Sequence, residues 1–223
     1  MNSKNCNENS SRLQQITSIP GLISKRIIKI ENFLPQQERD TLFNAVCTNQ
    51  ETFRNRGIPE SAMRGSLYLD LGSEESEDSK VLPISKACEC LSKRIMMLLP
   101  ELFTTLDVKP FPVSNIPLNF INGLDGHMGL PHTDESGGRF KISLLYYLNK
   151  VPKAFQGGAL EFYETNARSQ SGHSEKAFAK IEHKDNLLIA FLSHMYHGVS
   201  EVQLDSDKFE DGRFVIVGFL GPW

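Results

Sequence analysis

No run in this 223-residue sequence approaches the ~18 consecutive apolar residues that span a bilayer, so helical membrane insertion is not expected. Its first residues, MNSKNCNENSSRLQQ, have neither the basic start nor the apolar stretch of a secretory signal. Cysteine is sparse: Cys6, Cys47, Cys88 and Cys90 form neither a C-x-x-C pair nor a disulfide framework, which a chain of this size does not need. Reduced thiols and a cytoplasmic location are the resulting expectations. Positive charge is not in excess either. With 24 basic against 27 acidic residues the net charge is -3, which gives no electrostatic footprint for nucleic acid or an anionic membrane. No internal repeat is present, which excludes solenoids and propellers.

The sequence does hold enough apolar residues, 39%, to bury one sizeable core. Residues 1–19 are polar with few apolar anchors and read as a flexible tail, leaving 20–223 as a single domain. Arg26 to Phe33 is β-branched and reads as a strand; Pro35 then opens a helix with Leu42, Phe43 and Val46 on one face. A second helix carries Ile84, Ala87, Cys88, Leu91, Ile95 and Leu98 at three- and four-residue intervals, with Pro100 expected to stop it. From Phe111 onward the pattern changes to short β-rich runs: Ile116–Ile121, Phe140–Leu148, Ala159–Tyr163, Phe178–Ile181, Asn186–Phe191 and Phe214–Leu220. Asn122–Gly129, Thr165–Glu175 and Leu204–Gly212 read as solvated loops. The expected fold is mainly β, a jelly-roll core with flanking helices.

His132 and Asp134 are two residues apart at the start of a strand, a step that puts both side chains on one face of an extended chain. His197 follows the apolar run NLLIAF some way downstream, at another strand end. Two histidines and one carboxylate occupy one face of an octahedron, and the mixed donors suit Fe(II), with zinc as the alternative metal. Arg213 opens the apolar strand RFVIVGFL, where a guanidinium needs an anionic partner; a carboxylate would meet its planar fork of donors, with Tyr147 adding a neutral hydrogen bond.

With those residues in view the sequence resembles the prolyl-4-hydroxylase-like branch of the Fe(II)/2-oxoglutarate-dependent dioxygenases. The resemblance rests on His132-x-Asp134, LLYYLN at 144–149, GGALEF at 157–162, LLIAFLSHMYHGVSEV at 187–202 and the Arg213 strand, after the lead-in IENFLPQQERDTLFNAV. It implies a double-stranded β-helix (cupin-like) core with Fe(II) on His132, Asp134 and His197. It also implies 2-oxoglutarate and O2 as cosubstrates, Arg213 meeting the far carboxylate and Tyr147 helping. Two departures stand out. The stretch from His197 to Arg213 is lengthened by LDSDKFEDG, which makes Lys208 a rival for the carboxylate, and NFINGLDGHMGLPH lacks a tyrosine that many relatives carry.

The reaction so implied is hydroxylation or a related C–H oxidation of an amino acid or natural-product intermediate, free or tethered to a carrier or peptide. A protein prolyl hydroxylase is the runner-up, and a non-catalytic cupin-like binding module the distant alternative. Candidates to line the substrate cavity are Asn119 and Ile121, which share a strand face, Ser143 on the Tyr147 face, and Arg64 in the loop AMRGSLYLDLG. The Arg64 segment and the turn 122–129 are expected to form a lid. His127, His173, His183 and His194 are assigned to solvent, and Gly157 and Gly158 to a bulge or turn.

Overall fold

The structure, a computed structural model, describes residues 27–55, 63–71 and 81–222, so the expected tail lies outside the described residues. Eleven strands and two α-helices are found among them: β1 (Ile27–Glu31), α1 (Gln36–Thr48), β2 (Met63–Asp70), α2 (Leu82–Leu106), β3 (Leu118–His132), β4 (Ile142–Leu148), β5 (Gln156–Gly157), β6 (Leu160–Thr165), β7 (His173–Ile181), β8 (Leu187–Leu192), β9 (Tyr196–Val199), β10 (Val202–Gln203) and β11 (Arg213–Leu220). The main sheet is antiparallel in the order β1-β8-β4-β11-β3-β9-β6-β7, with β2 on the other edge of β3. Strand β3 joins the two halves: residues 118–123 pair with β11, and Gly129 and His132 pair with β9. The helices lie on one face of this curled sheet, and the site lies inside the curl.

Alternation along the strands builds two separate cores, because successive side chains point to opposite faces. On β4 the residues Ile142, Leu144, Tyr146 and Leu148 join Leu42, Val46, Ile84, Leu91 and Ile95 of the helices. Their neighbours Leu145 and Tyr147 pack with Ile121, Leu160, Phe162, Ile189, Phe191 and Val215 inside the curl. Strands buried on both faces read as near-continuous apolar runs, as LLYYL and LLIAF do.

Four local expectations need correction. Helix α2 does not stop at Pro100 but continues to Leu106. The ring removes one backbone hydrogen bond and costs about 3 kcal/mol. Leu102, Phe103 and Leu106 are all buried in the helix-side core, and roughly 1.5–3 kcal/mol for each outweighs that cost. Residues 122–129 are not a solvated turn, because they lie within β3 and are held on both edges: Gly123 pairs with Arg213 and with Ser66, and Met128 with Arg64. Between these pairs the register shifts, so β3 bulges while keeping its partners. The segment carrying Arg64 is likewise strand β2 and not a loop, and β7 begins at His173, inside an expected loop. The lid expected from residues 122–129 and the Arg64 segment therefore has no free loop there.

Among the described residues no helix is long and apolar enough to cross a membrane.

Candidate active site

His132 ends β3, Asp134 follows two residues later, and His197 lies on β9 directly opposite His132 in register. The Asp134 backbone N–H donates to Ser193 O at 2.8 Å, which fixes the turn after β3. One ligand atom from each of the three residues falls within 4.8 Å of the others, a spacing that could hold one metal ion. The His132 and His197 Nε2 atoms lie 3.6 and 3.3 Å from Asp134 carboxylate oxygens. Each ring turns its other nitrogen to a backbone carbonyl: His132 Nδ1 donates to Leu130 O at 2.8 Å, and His197 Nδ1 to Met195 O at 3.0 Å. Such bonds set the tautomer that leaves Nε2 as the ligating lone pair.

Electrostatics around the cluster follow from burial and mutual contact. Burial raises the Asp134 carboxyl, but hydrogen bonds and charge from His132, His197 and Ser143 overcome that and lower it overall. Burial opposes protonation of His132, but Asp134 and the Leu130 carbonyl raise it; at His197 burial prevails and lowers it. Asp134 is thus an anion facing two imidazoles.

Arg213 begins β11 and is 1% exposed. Its Nε donates to Gly158 O at 2.7 Å, and its Cζ stands 5.3 Å from the Tyr147 ring centroid. No ion pair links it to an acidic residue among the described residues, and its Nη2 and the Tyr147 hydroxyl are buried without hydrogen-bond partners. Burial lowers the guanidinium, but an arginine remains charged. A buried cation without a counter-ion is costly, and an anionic ligand entering the site would satisfy it. Lys208, the rival for that role, is exposed at the start of a 3-10 turn.

A cavity of about 250 Å³ joins the two ends, lined by the three ligand candidates and Arg213. Its walls include Asn119 and Ile121 of β3 and Leu145, Val215 and Val217 from the neighbouring strands. Ser143 is not on that wall: it is fully buried, its Oγ donating to Asp134 Oδ2 at 2.7 Å and meeting Ser193 Oγ at 2.9 Å. Tyr147 is also fully buried, beneath Arg213 and stacked on His183 at 4.1 Å. Arg64 pairs with Met128 through its backbone, and its side chain lies outside the described residues.

Sequence reasoning missed several contributors. His127 and His183, assigned to solvent, are buried at 1% and 3% exposure, and His127 lines the cavity. Burial, with the nearby Arg213 charge, pushes His127 down to about 3 and lowers His183 well below the ordinary range. Gly158 serves Arg213 through its carbonyl, and a Cβ on Gly158 would stand 2.5 Å from Arg213 Cδ. Neither role has a local signal; only the pairing of distant strands creates it.

A jelly-roll that gathers two histidines, a carboxylate and a buried arginine without an acidic partner around one cavity has the donor set of a non-haem metal site with room for an anionic ligand. The profile of the 2OG-Fe(II) oxygenase superfamily matches residues 118–221, the stretch that carries all four groups. It is this stretch, a little under half of the chain, that is similar to the superfamily. An uncharacterized PKHD-type hydroxylase of Synechocystis is 28% identical over 196 residues, 86% of this chain; the chain spans 62% of that relative's length. A prolyl-4-hydroxylase of Pseudomonas putida shares the fold with a TM-score of 0.61 at 18% identity, over 88% of this chain and 92% of that one. A Trichoplax adhaerens prolyl hydroxylase, solved with a hypoxia-inducible-factor peptide, gives a TM-score of 0.61 at 17% identity, over 87% and 83%. The superfamily's Fe(II) and 2-oxoglutarate suit the residues present: the triad offers metal donors, and Arg213 Nη2 is buried without a hydrogen-bond partner.

Proposed function

We propose that this protein is a hydroxylase that couples oxidative decarboxylation of 2-oxoglutarate to C–H oxidation of an amino acid or natural-product intermediate, free or tethered to a carrier or peptide. The observation that carries the reading is the buried Arg213, without an acidic partner, sharing one cavity with the His132, Asp134 and His197 cluster. In this reading His132, Asp134 and His197 hold Fe(II), while Arg213 seats the distal carboxylate with Tyr147 nearby. Bound Fe(II) supplies the activation of dioxygen, one oxygen atom entering succinate as carbon dioxide leaves and the other entering the product.

The protein's own groups do the rest. Arg213 orients the dicarboxylate by a bidentate, charge-assisted contact, and Gly158 O fixes the arginine's angle. The apolar wall of Ile121, Leu145, Val215 and Val217 keeps water from the reacting end. Asn119, on the same wall, offers an amide to the primary substrate, and its Oδ1 is buried without a partner. The test is succinate formation from 2-oxoglutarate with Fe(II) and dioxygen, followed by mass spectrometry of product from a panel of amino acids, carrier-bound substrates and prolyl peptides. Product from prolyl peptides alone would favour a protein prolyl hydroxylase; no succinate under any condition would refute the enzyme reading.

A further inference from the structure

Resting on that reading, we propose that His127 is a second donor for the distal carboxylate of 2-oxoglutarate, a neutral imidazole working beside the Arg213 guanidinium.

The ring's position comes from the β3 bulge. Between Gly123 and Met128 the strand loses step with β2, and this irregularity carries His127 into the cavity that holds Arg213 and the triad. There the ring folds back over Gly123, whose missing side chain it needs: a Cβ at residue 123 would collide with His127 Nδ1. Gly123 is in turn the register partner of Arg213. The imidazole therefore lies over the residue that pairs with Arg213 on the adjacent strand, and both side chains line the same cavity.

His127 is buried, yet neither ring nitrogen has a hydrogen-bond partner. Buried polar atoms are nearly always paired, so an orphan facing a cavity points to a ligand. The ring's charge state fits the ligand. Burial and the Arg213 charge keep the imidazole neutral, as one N–H donor and one acceptor. An imidazolium beside Arg213 would present two positive charges to one carboxylate; the neutral ring adds a hydrogen bond without adding charge. Arg213 Nε is already engaged by Gly158 O, which leaves its outer nitrogens and the His127 N–H to share the two carboxylate oxygens.

A structural role for His127 would affect any ligand alike, whereas a carboxylate donor distinguishes 2-oxoglutarate from 2-oxopentanoate, the acid of equal length without the distal carboxylate. The experiment is calorimetric titration of each acid into full-length protein loaded with Mn(II), without primary substrate or turnover. His127→Phe keeps a ring but removes the donor. It should weaken 2-oxoglutarate binding by roughly 10- to 100-fold, as loss of a hydrogen bond to a charged group does, and leave 2-oxopentanoate unchanged. His127→Gln, which restores an N–H, should recover part of the loss. Equal weakening of both acids, or no weakening of either, in the His127→Phe and His127→Gln proteins would overturn the proposal. Failure of the underlying reading has a different signature: wild-type protein would not prefer 2-oxoglutarate, or Arg213→Gln would keep the preference intact.

Discussion

Ser143 Oγ donates a 2.7 Å hydrogen bond to Asp134 Oδ2, from a fully buried position on β4. The serine thereby orients the one carboxylate of the cluster from behind, and its bond to Ser193 Oγ ties that carboxylate to the end of β8 as well. Removing a partner of this kind typically costs metal affinity about 10- to 100-fold. Ser143→Ala should show that loss in a competitive Fe(II) titration, with an unchanged circular dichroism spectrum. Wild-type metal affinity would mean that the turn at Asp134 orients the carboxylate without help.

Direct removal of a ligand candidate should be more severe. His132→Ala and His197→Ala are each expected to abolish stoichiometric Fe(II) binding, measured as metal per chain after anaerobic loading and gel filtration. Two of three donors cannot define a facial site. Retention of one tight Fe(II) per chain by both variants would rule out the assignment.

The two candidates for the distal carboxylate differ sharply in burial, so their substitutions should too. Arg213→Ala strands a carboxylate in an apolar pocket, a loss of roughly 2–5 kcal/mol, or about 30- to several-thousand-fold in 2-oxoglutarate affinity. Lys208→Ala removes an exposed charge and is expected to change that affinity less than about threefold. The reverse order would transfer the role to Lys208.

Asn186 ties the β1–α1 connection to the sheet. At φ 57° its side chain accepts from Leu34 N and Tyr146 Oη, both at 2.9 Å, and donates to Leu34 O at 2.8 Å. Asn186→Ala leaves buried groups unpaired and should lower unfolding stability by roughly 3–5 kcal/mol in urea titrations. Asn186→Gly relieves only the backbone part and should recover about 1 kcal/mol. Equal stability of the two variants would assign the whole effect to the lost hydrogen bonds.

The cysteines offer a check on burial that does not involve the site. Burial pushes the Cys47 thiol up to about 11 and holds Cys88 still higher. At pH 8 Cys47 should carry roughly a hundredth of the thiolate of an ordinary thiol, and its alkylation should rise steadily as pH approaches that value. Peptide mapping after iodoacetamide treatment should find Cys88 unmodified until the chain is unfolded. Rapid labelling of Cys88 in folded protein would contradict its place in the helix-side core.

Signals confined to one strand or one helix were legible in the sequence. The stripe from Ile84 to Leu98 gave α2, the runs LLYYL and LLIAF gave strands buried on both faces, and the residue types at strand ends singled out His132, Asp134, His197 and Arg213. Features set by a distant partner were not. Pro100 reads as a stop because the burial of Leu102 and Phe103 that offsets it depends on a sheet formed later in the chain. Residues 122–129 carry turn chemistry, and only the pairing of both β3 edges makes them strand. His127 reads as solvated because its neighbours in sequence are Gly126 and Asp125, whereas in the fold its ring is buried over Gly123 and shares the cavity with Arg213 of β11. Ser143 was placed on the correct strand face, but its contact with Asp134 depends on the turn after β3.

The alternation along β11 divides the consequences of mutation between two phenotypes. Arg213, Val215, Val217 and Phe219 face the cavity, while Phe214, Ile216 and Leu220 join the helix-side core. Substitutions at adjacent positions of this strand are therefore expected to have different effects. Changes at the first set can alter what the cavity accepts while the protein stays folded, and changes at the second lower its abundance while leaving surviving molecules competent. New specificities can accumulate along one face of β11 while the opposite face keeps the scaffold intact.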